Sequence, residues 1–551
     1  MNTFNSFHSR PIGAIHFCLT FGCLLWFGVI VLRASDRYVV EPGTGGTNEG
    51  PYTDWSIAAT QIQWAVDAAT NANDTVWVSN GTYVLTNQIV VISNIVLRST
   101  NGSDVTIVNG GFVAGAPDAT TNNRCLYLSN ASAFVSGFTF SNGACTNMGG
   151  GGVWVGNGIL SNCTVRNNTN AGGSGGGVLL KPGGTIVACR ITDNNGSDGA
   201  GIRAHQNTLS CVISNCLISN NVSYGASGGI SAYGSVQIKQ SMICNNRAST
   251  SAGSAGGLSM TYVTLDSCTV TVNQAAYGGG CWFVSGTITN CVISLNKSFH
   301  ASYGGGIHLR PDADGPCKIR NSTISGNTNG GVWMDGKQWG SWMTDCTITN
   351  NESNSVYLLD GFTVSNCVIR DNKGTVRCRD GMIRNCIIAG NSNNGTGGGL
   401  WIDSASRTAL VSSCTIASNW SKFTGAGLRF EATNVNQLSV SSCIIYSNGV
   451  NGTDDVYDAR APTNYNALQY SCIGTNPGFT GAVIIVADPV FKDPAGGNYR
   501  LSGSSPCVNR GSNETWMTNA CDLDNNRRIR YGTVDMGAYE RINEGTIYSA
   551  H

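Results

Sequence analysis

The sequence is poor in charged residues. Asp, Glu, Lys and Arg make up only 12% of its 551 residues, which is about half of the usual share. The 32 basic and 32 acidic side chains also balance to a net charge of zero. Because nucleic acids and anionic membrane surfaces attract proteins through an excess of positive charge, we expect neither as a partner.

Histidine and closely paired cysteines are also scarce. Between residue 35 and the last residue, the only histidines are His205, His300 and His308. The 22 cysteines include no Cys-x-x-Cys motif. Since zinc sites are built from closely spaced Cys and His ligands, the sequence does not support a zinc site or any other histidine-based metal site.

The chain does contain a repeated phrase, Cys-x-[Ile/Val]-x-x-Asn. Twelve copies run from Cys163 to Cys443 at intervals of 19 to 31 residues, with serine replacing cysteine at Ser241 and Ser322. The asparagines of the twelve copies are Asn168, Asn194, Asn221, Asn246, Asn273, Asn296, Asn327, Asn351, Asn372, Asn391, Asn419 and Asn448. Self-similarity at this period is typical of a solenoid, in which each repeat buries its apolar face against its neighbours.

Glycine turns and alternating runs lie ahead of most copies, as in residues 305–309 (GGIHL) and 398–402 (GGLWI). Alternation with a period of two predicts strands, and helical periodicity is almost absent between residues 131 and 475. Each repeat should therefore hold at least two short strands that stack as the coils of a parallel β-helix. We expect the repeated asparagine at a turn, where it bonds the next coil and tolerates a left-handed conformation.

These repeats resemble the right-handed parallel β-helix family, the pectate-lyase-like superfamily. The resemblance covers roughly two thirds of the chain and implies an all-β, right-handed parallel β-helix solenoid of about twelve coils. It is strong for the fold and weak for the function, because one fold supports many functions. It implies no certain cofactor, although calcium is compatible with the acidic ligands that lyases of this superfamily use. The Gly-His-Gly signature of the related hydrolases is absent.

Residues 1–35 are predicted to be a signal peptide or an N-terminal membrane anchor. Residues 12–32 are uncharged and largely apolar, which is long for a signal-peptide core and just long enough to span a bilayer. We favour a cleaved signal, and an uncleaved segment would be the chain's only contact with a membrane. In either case we expect an extracellular or cell-surface protein, and a monomer.

The rest of the chain divides into four predicted parts. Residues 36–130 form an N-terminal cap and the first strands, with an amphipathic helix within residues 55–70 that covers the open end of the core. Residues 131–475 are the β-helix repeats. Residues 476–541 resemble the C-terminal module called choice-of-anchor Q, on the segments 488–491, 505–507 and 534–540. Residues 542–551 form a tail without an apolar run, which gives no support to covalent anchoring.

The cysteines of the repeated phrase are predicted to face inwards as buried, stacked thiols, because a small apolar side chain packs well there. Cys507 and Cys521 flank a loop outside the repeats, and we regard them as the best candidates for a disulfide bond. Two short acidic runs, residues 312–315 and 522–526, resemble fragments of calcium loops. Because each lacks the distal glutamate, we interpret both as turns.

Alternation also predicts one outward-facing column of unusual composition. From Trp282 onwards, seven successive coils offer only aromatic, histidine or arginine side chains, with charged residues beside most of them. The predicted binding residues are Trp282, His308, Arg310, Trp333, Asp335, Tyr357, Arg379, Trp401 and Arg429. Exposed aromatic rings beside fixed charges suit a polysaccharide or cell-surface glycan. The alternative is that such residues simply suit a parallel sheet or lie under a long loop.

Three functions remain open on this face. The first is glycan binding or adhesion. The second is a polysaccharide lyase or glycoside hydrolase, in which Asp403 and Glu431 act as an acid and base pair and Arg377 neutralises a uronate. The third is a structural surface rod without a ligand. For the carboxylates, surface ion pairs such as Asp403 with Arg379 or Arg429 are the alternative that we favour over catalysis.

Overall fold

The computed structural model describes residues 34–542, except for 114–122, 147–148, 206–208, 301–302, 312–314, 335–339, 354, 359–360, 404–408, 432–437, 450–453, 459–466, 476–477 and 479–480. The described chain is an all-β parallel solenoid of about 13 turns with only 3% helix. The predicted fold class is therefore confirmed. Each regular coil contributes one strand to each of three parallel sheets, which agrees with the predicted minimum of two strands per repeat.

The first sheet follows the glycine turns. Its strands are Ile89–Val91, the start of Leu126–Ser136, the start of Val153–Ser161, Val178–Leu180, Ile202–His205, Ile230–Tyr233, Leu258–Thr261, Cys281–Phe283, Ile307–Leu309, Val332–Met334, Val356–Leu358, Val376–Cys378, Leu400–Ile402, Leu428–Phe430 and Val456–Asp458. In each strand the alternate residues that face the interior are almost fully buried, as are Ile307 and Leu309.

The second sheet begins at the N-terminal strand of the described chain. Its strands are Asp36–Val39, Asp74–Val78, Ile95–Ser99, the ends of Leu126–Ser136 and Val153–Ser161, Gly184–Val187, Cys211–Ser214, Val236–Lys239, Val263–Asp266, Gly286–Thr289, Cys317–Arg320, Trp342–Thr344, Thr363–Ser365, Met382–Arg384, Ala409–Ser412, Leu438–Ser441 and Leu468–Gln469. Residues of the predicted N-terminal cap are thus already part of the stacked sheets.

The third sheet carries the repeated phrase. Its strands are Gly81–Val84, Thr106–Asn109, Thr139–Ser141, Thr164–Arg166, Arg190–Thr192, Leu217–Ser219, Met242–Cys244, Thr269–Thr271, Val292–Ser294, Thr323–Ser325, Thr347–Thr349, Val368–Arg370, Ile387–Ala389, Thr415–Ala417, Ile444–Tyr446, Ser471–Ile473 and Ile484–Val486. Two-residue strands follow it in several coils, at Ala144–Cys145, Thr169–Asn170, Asn195–Gly196, Val222–Ser223, Gln274–Ala275, Lys297–Ser298, Ser392–Asn393 and Trp420–Ser421.

The twelve repeated asparagines form a continuous buried ladder, which we call the asparagine ladder. Each is at most 1% exposed. The Asn194 Oδ1 accepts hydrogen bonds from the backbone N–H and the Nδ2 of Asn168, both at 3.0 Å. The Asn194 Nδ2 in turn donates to the Val165 carbonyl at 3.0 Å and to the Asn221 Oδ1 at 3.0 Å. The ladder therefore satisfies its own buried polar groups from coil to coil.

The left-handed conformation lies one residue away from the predicted position. Asn167, which precedes Asn168, has a φ of 55°, and Asn162, which precedes the cysteine of the same copy, has a φ of 47°. The ladder asparagine itself is not in this region, so the prediction was wrong on this detail. Glycine is needed beside the ladder because neighbouring coils approach each other closely there. A Cβ on Gly306 would lie 2.5 Å from the Gly331 carbonyl and 2.9 Å from the Asn327 Nδ2.

The cysteines of the repeated phrase are at most 4% exposed and face the core, as predicted. Their thiols donate to backbone carbonyls; the Cys367 Sγ, for example, lies 3.1 Å from the Ser365 oxygen. Burial raises the pKa of Cys291 to about 11, and burial likewise raises the pKa of Cys367 well above its usual value. At neutral pH the thiols of Cys291 and Cys367 are therefore protonated and act as small apolar core residues.

The predicted amphipathic helix is present but shorter, at Ile62–Ala68, after a 3₁₀ turn at Trp55–Ile57. Ile62, Ala65 and Val66 are buried against the first coils. Among the described residues, no helix is long and apolar enough to cross a membrane. The predicted signal or anchor lies in residues 1–35, and residues 1–33 are outside the described chain.

The C-terminal segment folds back along the side of the rod. It contains the antiparallel strands Phe491–Asp493 and Asn498–Leu501 and a 3₁₀ helix at Thr515–Asn519. Tyr499 and Ala538 pack on Ile387, Ala389 and Ala417, which face outwards from the third sheet. Earlier strands of this sheet have mostly Thr, Ser or Arg at the outward positions, as in Thr323–Ser325 and Thr347–Thr349, whereas these three residues are apolar where the segment covers them. The resemblance of this segment to choice-of-anchor Q stays a prediction.

The structure does not bring together Cys507 and Cys521, the predicted candidates for a disulfide bond. Cys507 is fully buried and packs in one cluster with Ile444 and Cys472. The Cys521 carbonyl instead accepts a hydrogen bond from the Asn385 Nδ2 at 2.9 Å. Asn385 lies three coils before Cys472 along the third sheet, so the two predicted partners contact different parts of the rod.

Candidate functional site

The predicted outward column is in register along the first sheet. Trp282 pairs with His308, His308 with Trp333, and Trp333 with Tyr357. Tyr357 then pairs with Arg377, Arg377 with Trp401, and Trp401 with Arg429. The alternation read from the sequence therefore placed these seven residues correctly relative to one another.

The second half of this column is an unbroken stack of rings and guanidinium groups. The Trp333 and Tyr357 rings are parallel to within 20°, with their centroids 4.1 Å apart. The Arg377 guanidinium lies 5.2 Å from the Tyr357 ring and 4.3 Å from the Trp401 ring. Arg429 continues the stack between Trp401 and Tyr457. We call these six residues the aromatic–arginine stack: Trp333, Tyr357, Arg377, Trp401, Arg429 and Tyr457.

Stacking changes what this face offers to a ligand. Strands about 4.8 Å apart bring successive planar side chains into face-to-face contact, so the ring faces are used within the stack. Tyr357 is consequently only 8% exposed, and Trp333 and Trp401 are half-buried. The expectation of rings with exposed faces was wrong, because the coil spacing leaves no room for a sugar between neighbouring rings. Ring and guanidinium edges remain at the surface.

Trp282 and His308 form a separate stacked pair, with centroids 4.4 Å apart and planes within 8°. Tyr303, from the turn before His308, lies over the histidine with its centroid at 5.1 Å. His308 is therefore fully buried rather than exposed. Burial lowers its pKa to about 3, so the imidazole is neutral at physiological pH. The Arg310 guanidinium is exposed and lies 5.7 Å from the Trp282 ring.

The charged residues beside the stack are joined in ion pairs. The Asp403 Oδ2 accepts from the Arg377 Nε at 3.0 Å and from the Arg379 Nη2 at 3.1 Å. Glu431 pairs with Arg429 in the same coil. The ion-pair alternative is thus confirmed for Asp403 with Arg379, whereas Arg429 pairs with Glu431 rather than with Asp403. Each proposed catalytic carboxylate already has an arginine partner.

Several polar atoms of this face lack a hydrogen-bond partner within the described chain. The Trp401 Nε1 and the Asp403 Oδ1 are buried and unpaired, as are both ring nitrogens of His308. An unpaired buried polar atom costs about 1–3 kcal/mol, so such atoms call for a ligand or an ordered water. Asp335, the remaining predicted binding residue, lies outside the described residues.

Metal ligands are not assembled in the part of the chain that the structure describes, where no group of three or more His, Cys, Asp and Glu side chains is arranged to hold an ion. The Asp522 carboxylate of the second calcium-like run accepts from the N–H groups of Asp524 at 2.9 Å, Asn526 at 2.8 Å and Glu540 at 2.7 Å. This carboxylate organises a turn, as predicted. Residues 312–314 of the first run are outside the described chain.

Sequence reasoning missed two aromatic residues of this face. Tyr457 extends the stack beyond Arg429, with which it pairs in register. It holds the same alternating position as Arg429, but neither a glycine turn nor a further asparagine phrase marks its coil. Tyr303 was missed because it lies in a turn, where alternation gives no information about side-chain direction.

The fold and this column define a parallel β-solenoid with one specialised outer face. The family model described as "Right handed beta helix region" matches residues 95–270, 228–376 and 280–467. These overlapping matches span more than half of the chain, and the chain therefore belongs to the right-handed β-helix family. A comparison with curated proteins finds no match.

Solved structures with some likeness include three enzymes. The pectate lyase Pel9A is 12% identical, with 92% of this chain and 98% of that chain covered and a TM-score of 0.32. The A-module of the mannuronan C-5 epimerase AlgE6 from Azotobacter vinelandii is 13% identical, with 73% and 95% covered and a TM-score of 0.26. A rice weevil pectin methyl esterase is 14% identical, with 51% and 78% covered and a TM-score of 0.21. The family assignment rests on the family model.

Proposed function

We propose that the protein binds an extended polysaccharide or cell-surface glycan along the edge of the aromatic–arginine stack. The observation that carries the proposal is the combination, in one column, of stacked rings, fixed charges and unpaired buried polar atoms. The outward positions of the second sheet form no such column, since Thr287, Lys318, Trp342, Thr363, Met382, Leu410 and Ser439 follow one another in register.

The charges favour an acidic polysaccharide. In the described part of the stack region, Arg377 and Arg379 share the carboxylate of Asp403, and Arg429 pairs with Glu431. Arginine edges bind carboxylates through paired hydrogen bonds, so sugar units that carry carboxylates would meet these guanidinium groups. Hydroxyl groups of the sugar would meet the ring and guanidinium edges that remain at the surface.

We also propose that the protein is exported, because a glycan of this kind lies outside the cell. The support for export is the uncharged apolar run of residues 12–32 in the sequence.

A structural rod is the second candidate. It is favoured by the self-stacking of the column, since cation–π contacts and aromatic stacking stabilise a parallel sheet without any ligand. A lyase or hydrolase that uses Asp403, Glu431 and Arg377 is a weaker candidate, because both carboxylates are held by arginines. A free general acid would require one of these pairs to open.

The test is binding to a panel of acidic and neutral polysaccharides by affinity electrophoresis. The double variant Trp333→Ala/Trp401→Ala should lose at least about tenfold in affinity, which is about 1.4 kcal/mol. Trp342→Ala is a matched control, since Trp342 is equally half-buried on the outer side of the second sheet. Unchanged retention of a folded double variant would overturn the proposal.

The same samples distinguish binding from catalysis. Release of new reducing ends, measured with and without calcium, would indicate an enzyme. Loss of that release in Asp403→Asn or Glu431→Gln, with binding retained, would place the chemistry on the stack. Binding without release is the result expected here. If the folded protein shows neither binding nor release of reducing ends, the structural rod is the remaining candidate.

A further inference from the structure

Two cysteines from distant parts of the chain meet where the C-terminal segment packs against the rod. Cys472 lies in the third-sheet strand Ser471–Ile473, and Cys507 follows the strand Asn498–Leu501. Both are fully buried in one cluster with Ile444, Leu501 and Met536. Within this cluster the Cys472 thiol donates to the Ala487 carbonyl at 3.3 Å, so it faces the C-terminal segment that carries Cys507.

Cys472 differs from the cysteines of the repeated phrase in the direction it faces. Ser471 takes the inward position of its coil: its Oγ accepts from the Cys443 N–H at 3.1 Å and donates to the Gln469 carbonyl at 2.7 Å. Ser241 takes the equivalent position in an earlier coil. Cys472 pairs in register with Ile444, which faces outwards. Its thiol therefore points away from the core and towards the C-terminal segment.

The backbone on both sides of this contact is fixed by other interactions. The Cys472 N–H donates to the Cys443 carbonyl at 2.9 Å, and the Met536 N–H donates to the Cys507 carbonyl at 3.0 Å. The Ser505 Oγ accepts from the Cys507 N–H at 3.2 Å. Main-chain hydrogen bonds thus hold both cysteines in this one cluster, without a covalent bond between them.

We propose that Cys472 and Cys507 form a disulfide bond that fastens the C-terminal segment to the third sheet. With glutathione disulfide as the oxidant, one cysteine thiolate attacks it and releases one glutathione. The second cysteine then attacks the mixed disulfide and releases another. The two cysteine sulfurs are oxidised, the glutathione disulfide is reduced to two thiols, and these take up the two cysteine protons.

The bond forms before the cluster closes. In the folded chain the hydrogen bond to Cys507 and burial raise the pKa of Cys472, so its reactive thiolate is scarce there. During folding both thiols are still exposed to the oxidant. Once formed, the bond closes the loop between residues 472 and 507 and restricts the unfolded chain.

The geometry also explains why Cys521 is not the partner. Cys521 is bonded to Asn385, three coils away from Cys472. With coils spaced about 4.8 Å apart, this corresponds to roughly 14 Å along the rod. Disulfide bonds require Cα atoms within about 7 Å of each other. Cys521 therefore provides a matched control cysteine in the same segment.

The test is peptide mapping of the full-length protein refolded in a mixture of reduced and oxidised glutathione. The protein is unfolded in guanidinium chloride with an alkylating agent and digested without reductant. We expect a crosslinked peptide that contains Cys472 and Cys507, which disappears on reduction and in Cys472→Ser but remains in Cys521→Ser. Alkylation of both cysteines, or a crosslink of Cys507 to any other cysteine, would overturn the proposal.

Thermal unfolding gives a second readout that does not depend on the digest. Reductant should lower the unfolding temperature of the wild type and of Cys521→Ser. It should leave that of Cys472→Ser unchanged, because this variant has no bond to lose. A reductant effect of equal size in all three proteins would contradict the assignment. Loss of glycan binding plays no part in either readout, so the two proposals fail independently.

Discussion

The asparagine ladder and the aromatic–arginine stack both run along the rod with one residue per coil, yet they differ in two ways. The ladder uses the same residue in twelve successive coils, and every rung such as Asn194 bonds both neighbouring coils. The stack mixes rings and guanidinium groups, and among the described residues the Trp401 Nε1 and the Asp403 Oδ1 have no hydrogen-bond partner.

This contrast separates repetition that is satisfied within the fold from repetition that we propose serves a ligand. A buried amide is stable only when all of its hydrogen bonds are made, and identical neighbours at a fixed spacing make them for one another. A binding face must instead leave hydrogen-bonding capacity for its partner. Repetition alone therefore does not indicate a function, and the proposal of ligand binding depends on the composition of the stack and on its exposed ring and guanidinium edges.

The largest effect is expected from Asn194→Ala in the ladder. The change removes the acceptor of the Asn168 N–H and the donor to the Val165 carbonyl, leaving buried groups without partners. We expect the free energy of unfolding to fall by about 3 kcal/mol or more, as measured by urea denaturation. Polysaccharide affinity of the folded fraction should not change.

The neighbouring residue offers the control. Asn195 is exposed on the strand Asn195–Gly196, and Asn195→Ala should alter the free energy of unfolding by no more than about 0.5 kcal/mol. If both variants lost the same free energy of unfolding, the buried hydrogen bonds of the ladder would not be the cause of the loss in Asn194→Ala.

An intermediate effect on stability is expected from Arg377→Ala in the stack. The change removes guanidinium contacts to two rings and the ion pair with Asp403, whose side chain is 10% exposed. The free energy of unfolding should fall by about 1–2 kcal/mol, and the affinity for an acidic polysaccharide should fall about tenfold or more. Arg320→Ala, at an exposed site on the second sheet, should change neither quantity. A stability loss with full affinity would assign the stack to the structural rod.

The smallest effect concerns the end of the ladder, where a carboxyl group replaces the next asparagine. The Asp455 Oδ1 accepts from the Asn448 N–H at 2.9 Å and from its Nδ2 at 2.8 Å. Burial raises the pKa of Asp455, and the neighbouring Asp454 adds to this. The folded state therefore keeps the proton to higher pH than the unfolded state, and the stability due to this group is lost as the pH rises through the raised pKa.

This titration of Asp455 is tested by urea denaturation of the wild type and of Asp455→Asn, at pH values from the usual aspartate pKa upwards to neutral pH. The variant cannot ionise at this position, so its stability relative to the wild type should increase as the pH rises. A difference that stays constant with pH, or changes in the opposite direction, would mean that Asp455 is not the titrating group.

The sequence predicted the features that depend on local repetition. The ladder and the register of the column could be read because alternation and a fixed spacing of five residues recur in coil after coil. The self-stacking of Trp333, Tyr357 and Arg377 could not be read, because ring orientation depends on the distance between coils. The contact of Cys507 with Cys472 was likewise hidden, because it joins the rod to a segment without repeats.

The sequence by itself thus determined the solenoid, its inward cysteines and the line of aromatic and arginine residues. These follow from the chain's own periodicity, which each coil imposes on the next through main-chain pairing. Only the tertiary structure decided which ring faces are covered, that His308 is buried beneath Tyr303, and that the C-terminal segment lies on the third sheet. These depend on contacts between side chains of different coils and of a non-repeating segment, and no local pattern encodes such distances.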